Sequence, residues 1–183
     1  LFIKICETNN WEYQIYGFEA HPDYCKTISE KYKSNKNIQI INKAITDTPG
    51  KIKLFLANSN GGEGNSIFRT KNNVTDQNVI VEGIRFSDWI KKNIPNFKSQ
   101  TNVMRFNIEG AEWHLMHDLI NNDMYKYFKV ICGSTPDIPK VAELRDKLSE
   151  YNNLLIEHGI IVHRFTYVHE TRNSDIAKLI KSK

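Results

Sequence analysis

The sequence predicts an α/β fold built on a mainly parallel sheet with helices on both faces. Three observations carry this reading. Short β-rich runs alternate with stretches of helical periodicity over most of the chain. The connections between them are short. The runs at residues 103–108 and 128–132 are mostly apolar, as strands covered on both faces tend to be.

Residues 2–6 put Phe2, Ile5 and Cys6 at helical spacing without otherwise declaring an element. Residues 15–20 are a β-rich run ending on an acid, and His21, Pro22 and Asp23 then read as a helix start. That helix carries Cys25, Ile28 and Tyr32 on one face, and residues 38–41 form the next strand. Residues 44–86 break the alternation. Thr48, Pro49 and Gly50 signal a turn, Ile52, Leu54 and Leu56 alternate with their neighbours, and residues 79–84 are apolar again. We expect an antiparallel insertion beside the sheet. Ser87 and Asp88 suit the cap of a short helix burying Trp89 and Ile90, which Pro95 stops.

Residues 103–108 are a strand, followed by a helix with Trp113, Met116 and Ile120 at helical spacing. Residues 128–132 are the next strand, neighbouring those at 15–20, 38–41 and 103–108 in one sheet. Asp137 and Pro139 open a long helix whose face is Val141, Leu144, Leu148, Tyr151 and Leu155, closed by Gly159. Ile160, Ile161 and Val162 begin a last pair of strands, the C-terminal one antiparallel. Asn173, Ser174 and Asp175 suit the cap of a final helix with Ile176, Leu179 and Ile180.

At 183 residues the chain has the size of one domain, and no repeat or linker divides it. Hydrophobic residues make up 40%, enough for a single core. No apolar run approaches the roughly 20 residues that span a bilayer, so no membrane association is expected. Three widely spaced cysteines, Cys6, Cys25 and Cys132, contain no CxxC pair. This argues against a disulfide framework or zinc ribbon and for reduced thiols in the cytoplasm. The net charge of +4 comes from dispersed lysines rather than a basic stripe, which argues against a nucleic-acid partner.

In an open parallel sheet, ligands bind beyond the carboxyl ends of the strands. Three places qualify. Glu19 could accept hydrogen bonds from both ribose hydroxyls of a nucleotide-like cofactor, or simply favour a helix N-terminus. Asn42 and Ala44 follow the second strand, where a small residue admits an adenine ring and the amide could bond its edge; an ordinary loop reads equally well. Asn107, Glu109 and Glu112 surround a Gly-Ala step, and the two acids share a face if a helix starts at Gly110. His114 and His117 are three apart but lack a clear third ligand, so no metal is expected. His163 and His169 have no metal-ligand spacing. Gly61, Gly62, Glu63 and Gly64 lack the Lys-Ser/Thr of a P-loop and read as a turn or a loop over an acceptor.

Three segments in order, Tyr16-Gly17-Phe18-Glu19-Ala20-His21-Pro22, Asn42-Lys43-Ala44-Ile45 and Arg105-Phe106-Asn107-Ile108-Glu109-Gly110-Ala111-Glu112, resemble consecutive motifs of the FkbM-type methyltransferases. Those motifs run approximately F-E-P-x-P, N-x-A-I and K-I-D-x-E-G-A-E, with similar spacing. The resemblance implies a Rossmann-like methyltransferase sheet, S-adenosylmethionine as cofactor, and transfer of its methyl group to a hydroxyl of a sugar or other small molecule. By position, Glu19 would bind the ribose, with Ala20 also among the cofactor-binding residues, Asn42 and Ala44 would border the adenine, and Asn107 and Glu109 would face the methionine end and the acceptor. Glu109, Glu112 and His114 would be the candidates for general base. Asn107 stands where the family usually has Asp.

The family's glycine-rich loop and first strand would precede Leu1, so the chain is expected to be N-terminally incomplete. Strand edges left unpaired there would be filled by an upstream segment or by self-association into a homo-oligomer. Two other functions fit part of the pattern. A non-catalytic binding module on a decayed methyltransferase fold would explain Asn107. A nicotinamide-dependent oxidoreductase would use Glu19 equally well, but gives no account of Glu109 and Glu112.

Overall fold

Most of the apolar runs become strands, with limits within about two residues of those expected. The computed structural model describes residues 2–58, 64–134, 136–164 and 171–182, and only the backbone of 171–174. Helix α1 (Phe2–Thr8) precedes strand β1 (Ile15–Phe18). Helix α2 (Pro22–Tyr32) follows, with Pro22 in the first turn, where an N–H would have no intrahelical partner. Strand β2 (Ile38–Ile41) returns parallel to β1, pairing Ile15 with Ile38 and Phe18 with Ile41.

Next come β3 (Ala44–Ile45), β4 (Gly50–Ala57) and β5 (Val74–Ile84), in the order β3-β5-β4. β4 and β5 are antiparallel, as the insertion was expected to be, but β3 pairs parallel with β5. The inserted sheet is therefore mixed. Its inward-facing Leu54 and Val81 bury a small cluster with Ala44, following the two-residue side-chain period of a strand.

Helix α3 (Phe86–Asn93) leads to strand β6 (Asn102–Phe106), helix α4 (Glu112–Asn121) and strand β7 (Phe128–Gly133). Helix α5 (Leu148–Glu157), strand β8 (Val162–Arg164) and helix α6 (Thr171–Lys181) complete the described chain. β6, β7 and β8 form one parallel sheet with β7 central. Successive residues of β7 face opposite sides of it. Ile131 joins Met104, Phe106, Leu115, Met116 and Leu119 in the main core. Val130 and Cys132 pack with Ile5 of α1 and Ile176 of α6 on the other side. Helices thus cover both faces.

Several expectations need correction. The four neighbouring strands do not share one hydrogen-bonded sheet: among the described residues β1 pairs only with β2, and β6 with β7. What joins the two sheets is α3. Its Trp89 lies 5.0 Å from the ring of Tyr16 and 4.9 Å from that of Phe18, both edge-on, while Phe86 meets Phe18 and Phe128. Ser87 does not cap α3; Arg85 holds that position, and Ser87 is buried in the first turn. The buried face of α4 is Leu115, Met116 and Leu119, with Trp113 and Ile120 only half-buried.

The long helix expected from Asp137 is two 3₁₀ segments, Ile138–Lys140 and Ala142–Lys147, before α5 begins. Val141 between them is extended and makes an antiparallel bridge to Lys71, which breaks the helical path. The apolar face survives the break, because Val141, Leu144 and Tyr151 are all buried. The one described strand near the C-terminus, β8, runs parallel to β7; a further, antiparallel strand would fall on residues 165–170, outside the described residues. The final helix begins at Thr171, ahead of the expected cap.

Candidate functional site

Glu19 and Ala20 follow β1, Asn42 follows β2, and Asn107 and Glu109 follow β6, each beyond the carboxyl end of a parallel strand. The first two ends are tied together. The Asn42 amide donates to the carbonyls of Glu19 and Ala20, both at 2.9 Å. One Glu19 oxygen accepts the His21 N–H at 2.8 Å, which fixes the carboxylate ahead of α2. Asn42 is exposed, whereas the Ala44 methyl is buried against Leu54 and Val81 rather than lining an open cleft.

The β6 end is built differently. Glu109 has φ of +56° and Gly110 of +102°. The left-handed conformation is strained by roughly 1–2 kcal/mol for a residue with a side chain, and such strain concentrates where a side chain must be aimed. Gly110 is needed for space as well, since a Cβ there would lie 2.7 Å from Val141. These two residues form a tight turn before α4, so Glu109 and Glu112 do not share a helix face as the spacing suggested. Glu112 points back into the turn, accepting the Gly110 N–H at 2.7 Å and the Ile108 N–H at 3.4 Å. It is 1% exposed. Burial pushes its carboxyl up to about 7 despite those two hydrogen bonds. The same burial raises the Tyr151 phenol, and the nearby Glu112 raises it further.

Glu109 turns the other way. Its carboxylate lies 2.8 Å from the ammonium of Lys71, whose side chain is 1% exposed. Lys71 Nζ also donates to the Gly64 carbonyl at 3.2 Å and to Asn73 Oδ1 at 2.5 Å, and stands 3.5 Å from Asp137. Asp137 in turn pairs with Lys140 at 2.8 Å. The backbone fixes this arrangement: the Asn72 N–H donates to Lys140 O, the Ala142 N–H to Thr70 O, and the Ser66 hydroxyl to Glu109 O at 2.7 Å. Three separate loops therefore converge on one buried ammonium.

Burial raises the Glu109 carboxyl, and a hydrogen bond with Asp137 raises it further; Lys71 opposes both without reversing them. Burial also pulls Asp137 upward, but hydrogen bonds from Glu109 and Lys140 and the ammonium charges outweigh it and hold Asp137 below the usual range. The pair thus titrates as a unit. Beside it the Asn107 amide approaches Glu109 at 3.4 Å, and its oxygen accepts the Ser134 hydroxyl at 2.6 Å. Lys71 was not singled out from the sequence and Asp137 only as a helix start, since neither lies in a motif and only the fold brings them to Glu109.

His114 lies apart from these acids. It lines a cleft of about 400 Å³ between α4 and the inserted sheet, with Thr46, Asp47, Ile52, Phe55 and Phe68. Its Nδ1 is buried and has no hydrogen bond; Asp47 approaches to 3.5 Å without the alignment of one. Burial holds its pKa below the usual value, so the ring is neutral near pH 7. His117 is occupied by the Trp113 carbonyl at 2.8 Å. Among the described residues no three metal-ligating side chains converge, and no helix is long and apolar enough to cross a membrane. Residues 61–63 and His169 lie outside the described residues. No protein-family model, curated protein or solved structure matches the chain.

Proposed function

We propose that the protein is an S-adenosylmethionine-dependent methyltransferase acting on a hydroxyl of a sugar or another small molecule, in the reducing environment of the cytoplasm. The observation that carries this reading is the position of Glu19, Asn42 and Glu109, each just past the carboxyl end of a parallel strand, where α/β sheets take their ligands. The ordered resemblance to the FkbM-type motifs falls on these same three strand ends.

In this reading Glu19 receives the ribose hydroxyls, and Asn42 braces the two loops that border the adenine by holding the Glu19 and Ala20 carbonyls. Asn107 and Glu109 face the methionine end and the acceptor. Alignment of acceptor oxygen, methyl carbon and sulfur supplies much of the acceleration, and a carboxylate removes the hydroxyl proton. Glu112 is a poor base for this purpose, because its oxygens are occupied by the turn and closed to solvent.

The test is calorimetric titration of the protein with S-adenosylmethionine and with NAD. Glu19→Gln keeps an oxygen for the His21 N–H and removes the charge. It should weaken S-adenosylmethionine binding by roughly 1.5–3 kcal/mol, the range for hydrogen bonds to an ionised group. Equal affinity of variant and wild type, or binding of NAD alone, would refute the assignment.

A further inference from the structure

The cleft beside His114, at about 400 Å³, has the volume of a small-molecule site. Its wall is held in place by contacts on several sides. The Asp47 carboxylate accepts the Thr48 hydroxyl at 2.9 Å, and the Asp47 carbonyl accepts the Arg85 guanidinium N–H at 3.0 Å. The Thr46 N–H donates to Ile84 O at 3.0 Å, which ties this loop to β5. Gly83 of β5 provides the room, since a Cβ there would lie 2.6 Å from the Thr46 methyl and 3.1 Å from Ile52. Phe68 packs on the His114 ring, with centroids 5.2 Å apart.

The chemistry of this wall narrows what the cleft can take. His114 Nδ1 is buried without a hydrogen bond, 3.5 Å from the Asp47 carboxylate. Buried polar nitrogens are normally paired, so this ring is short of a partner. A carboxylate on the Nδ1 side favours the tautomer with its proton on Nδ1, because the other tautomer sets two acceptors against each other. Nε2 is then an acceptor, and its partner has to be a donor such as a hydroxyl. Burial lowers the ring's pKa more than Asp47 raises it, and His117 adds to the lowering, so the ring stays neutral. Ile52, Phe55, Ile67 and Phe68 supply apolar wall, two of them flat rings that suit an aromatic ligand. The two charged residues at the cleft, Asp47 and Lys53, are exposed and opposite in sign, which favours neither a cation nor an anion. A sugar ring carries hydroxyls on every side, and most of them would go unpaired against these four side chains.

We propose that this cleft binds a neutral aromatic alcohol of roughly one or two rings, a phenol or a naphthol, whose hydroxyl donates to His114 Nε2. Asp47 is a positioning residue: it sets the imidazole tautomer and acts on the ligand through His114. The site goes beyond the methyl-transfer reading and does not depend on it. None of Glu19, Asn42 and Glu109 lines the cleft, and its occupant needs no cofactor to bind.

Imidazole ¹⁵N NMR of the histidine-labelled protein reads the tautomer, and titration with 2-naphthol reads the site. At about pH 7 the free protein should show His114 protonated on Nδ1 and bare on Nε2. 2-Naphthol should move the His114 Nε2 signal saturably. 2-Methoxynaphthalene keeps the rings but cannot donate, and should bind about 3- to 10-fold more weakly, the net worth of one neutral hydrogen bond. Asp47→Asn, whose amide can donate to Nδ1, should shift His114 toward the Nε2-protonated tautomer and abolish the preference for the alcohol over its ether. His114→Phe keeps a ring against Phe68 and should lose the same preference while still binding both. A free protein with the proton on Nε2, no saturable shift with 2-naphthol, or equal affinities for alcohol and ether each overturns the proposal. A preference unchanged by Asp47→Asn overturns the role of Asp47, and a methyl glucoside that binds more tightly than 2-naphthol overturns the aromatic class. All of these are read without S-adenosylmethionine, so failure of the methyl-transfer reading is a separate result.

Discussion

The buried carboxyl of Glu112 gives the fold a pH dependence whose sign and size follow from the structure. Its proton affinity rises from the ordinary 4.5 to about 7 on folding, mainly through burial. An acid with a raised folded-state value binds more protons folded than unfolded between those two values. Its contribution to stability is therefore greatest below about pH 4.5, declines as pH rises toward 7, and is constant above. At about 1.4 kcal/mol per pH unit, the loss is about 3 kcal/mol. Glu112→Gln keeps an oxygen on the Gly110 N–H and removes the titration. Urea unfolding of both proteins at about pH 4.5 and about pH 8 isolates this group, because Glu109, Asp137 and His114 are common to both. Wild type should lose about 3 kcal/mol more than the variant between the two pH values. Parallel stabilities for the two proteins across that interval would mean that Glu112 is not buried as described.

Two further substitutions test the architecture around the site. Gly110→Ala must adopt φ of +102° and place a methyl 2.7 Å from Val141, so a loss of about 2–3 kcal/mol is expected in thermal unfolding; Val141→Ala in the same chain should recover the steric part but not the backbone part. Asp118 holds α3 from α4 by accepting the Ser87 N–H at 2.8 Å and the Ser87 hydroxyl at 2.6 Å, all buried, so Asp118→Ala should destabilise by about 3 kcal/mol. A change below about 0.5 kcal/mol, the size expected at an ordinary surface position, would show that this clamp is not formed.

The elements were legible in the sequence to the extent that one period governed them. β1, β2, β6 and β7 are short apolar runs with turn residues on either side, and their limits came out within about two residues, the usual uncertainty at element ends. The grouping of those strands was not legible. Pairing is a property of backbone edges, and nothing in residues 15–18 or 102–106 states which edge meets which. The segment after Asp137 shows a second limit. Val141, Leu144, Leu148, Tyr151 and Leu155 keep helical spacing, yet the chain between Ile138 and Lys147 is 3₁₀ with Val141 extended. The bridge from Val141 to Lys71 wins locally because it satisfies backbone groups that a continuous helix would satisfy only along its own axis.

The site shows the same division between composition and geometry. Glu109 and Glu112 are equivalent in sequence, two acids around a small dipeptide. What separates them is the left-handed backbone at Glu109 and Gly110. Had the helix begun at Gly110, both carboxylates would have projected from one face toward solvent as an ordinary favourable pair at a helix N-terminus. The turn instead sends Glu112 inward, where it binds the backbone N–H groups of its own loop, and leaves Glu109 beside Asp137. The glycine was the visible signal of that turn, but its consequence depends on Lys71, whose ammonium is the charge that lets two partly buried acids stand together. A lysine in a polar stretch reads as a solvated surface residue, and its burial is set by the bridge between residues 71 and 141 and by the loops on which Glu109 and Asp137 stand. The acid–base character of the β6 end is therefore a property of three loops assembled by the fold, and the motif Glu109-Gly110-Ala111-Glu112 supplies one of its parts.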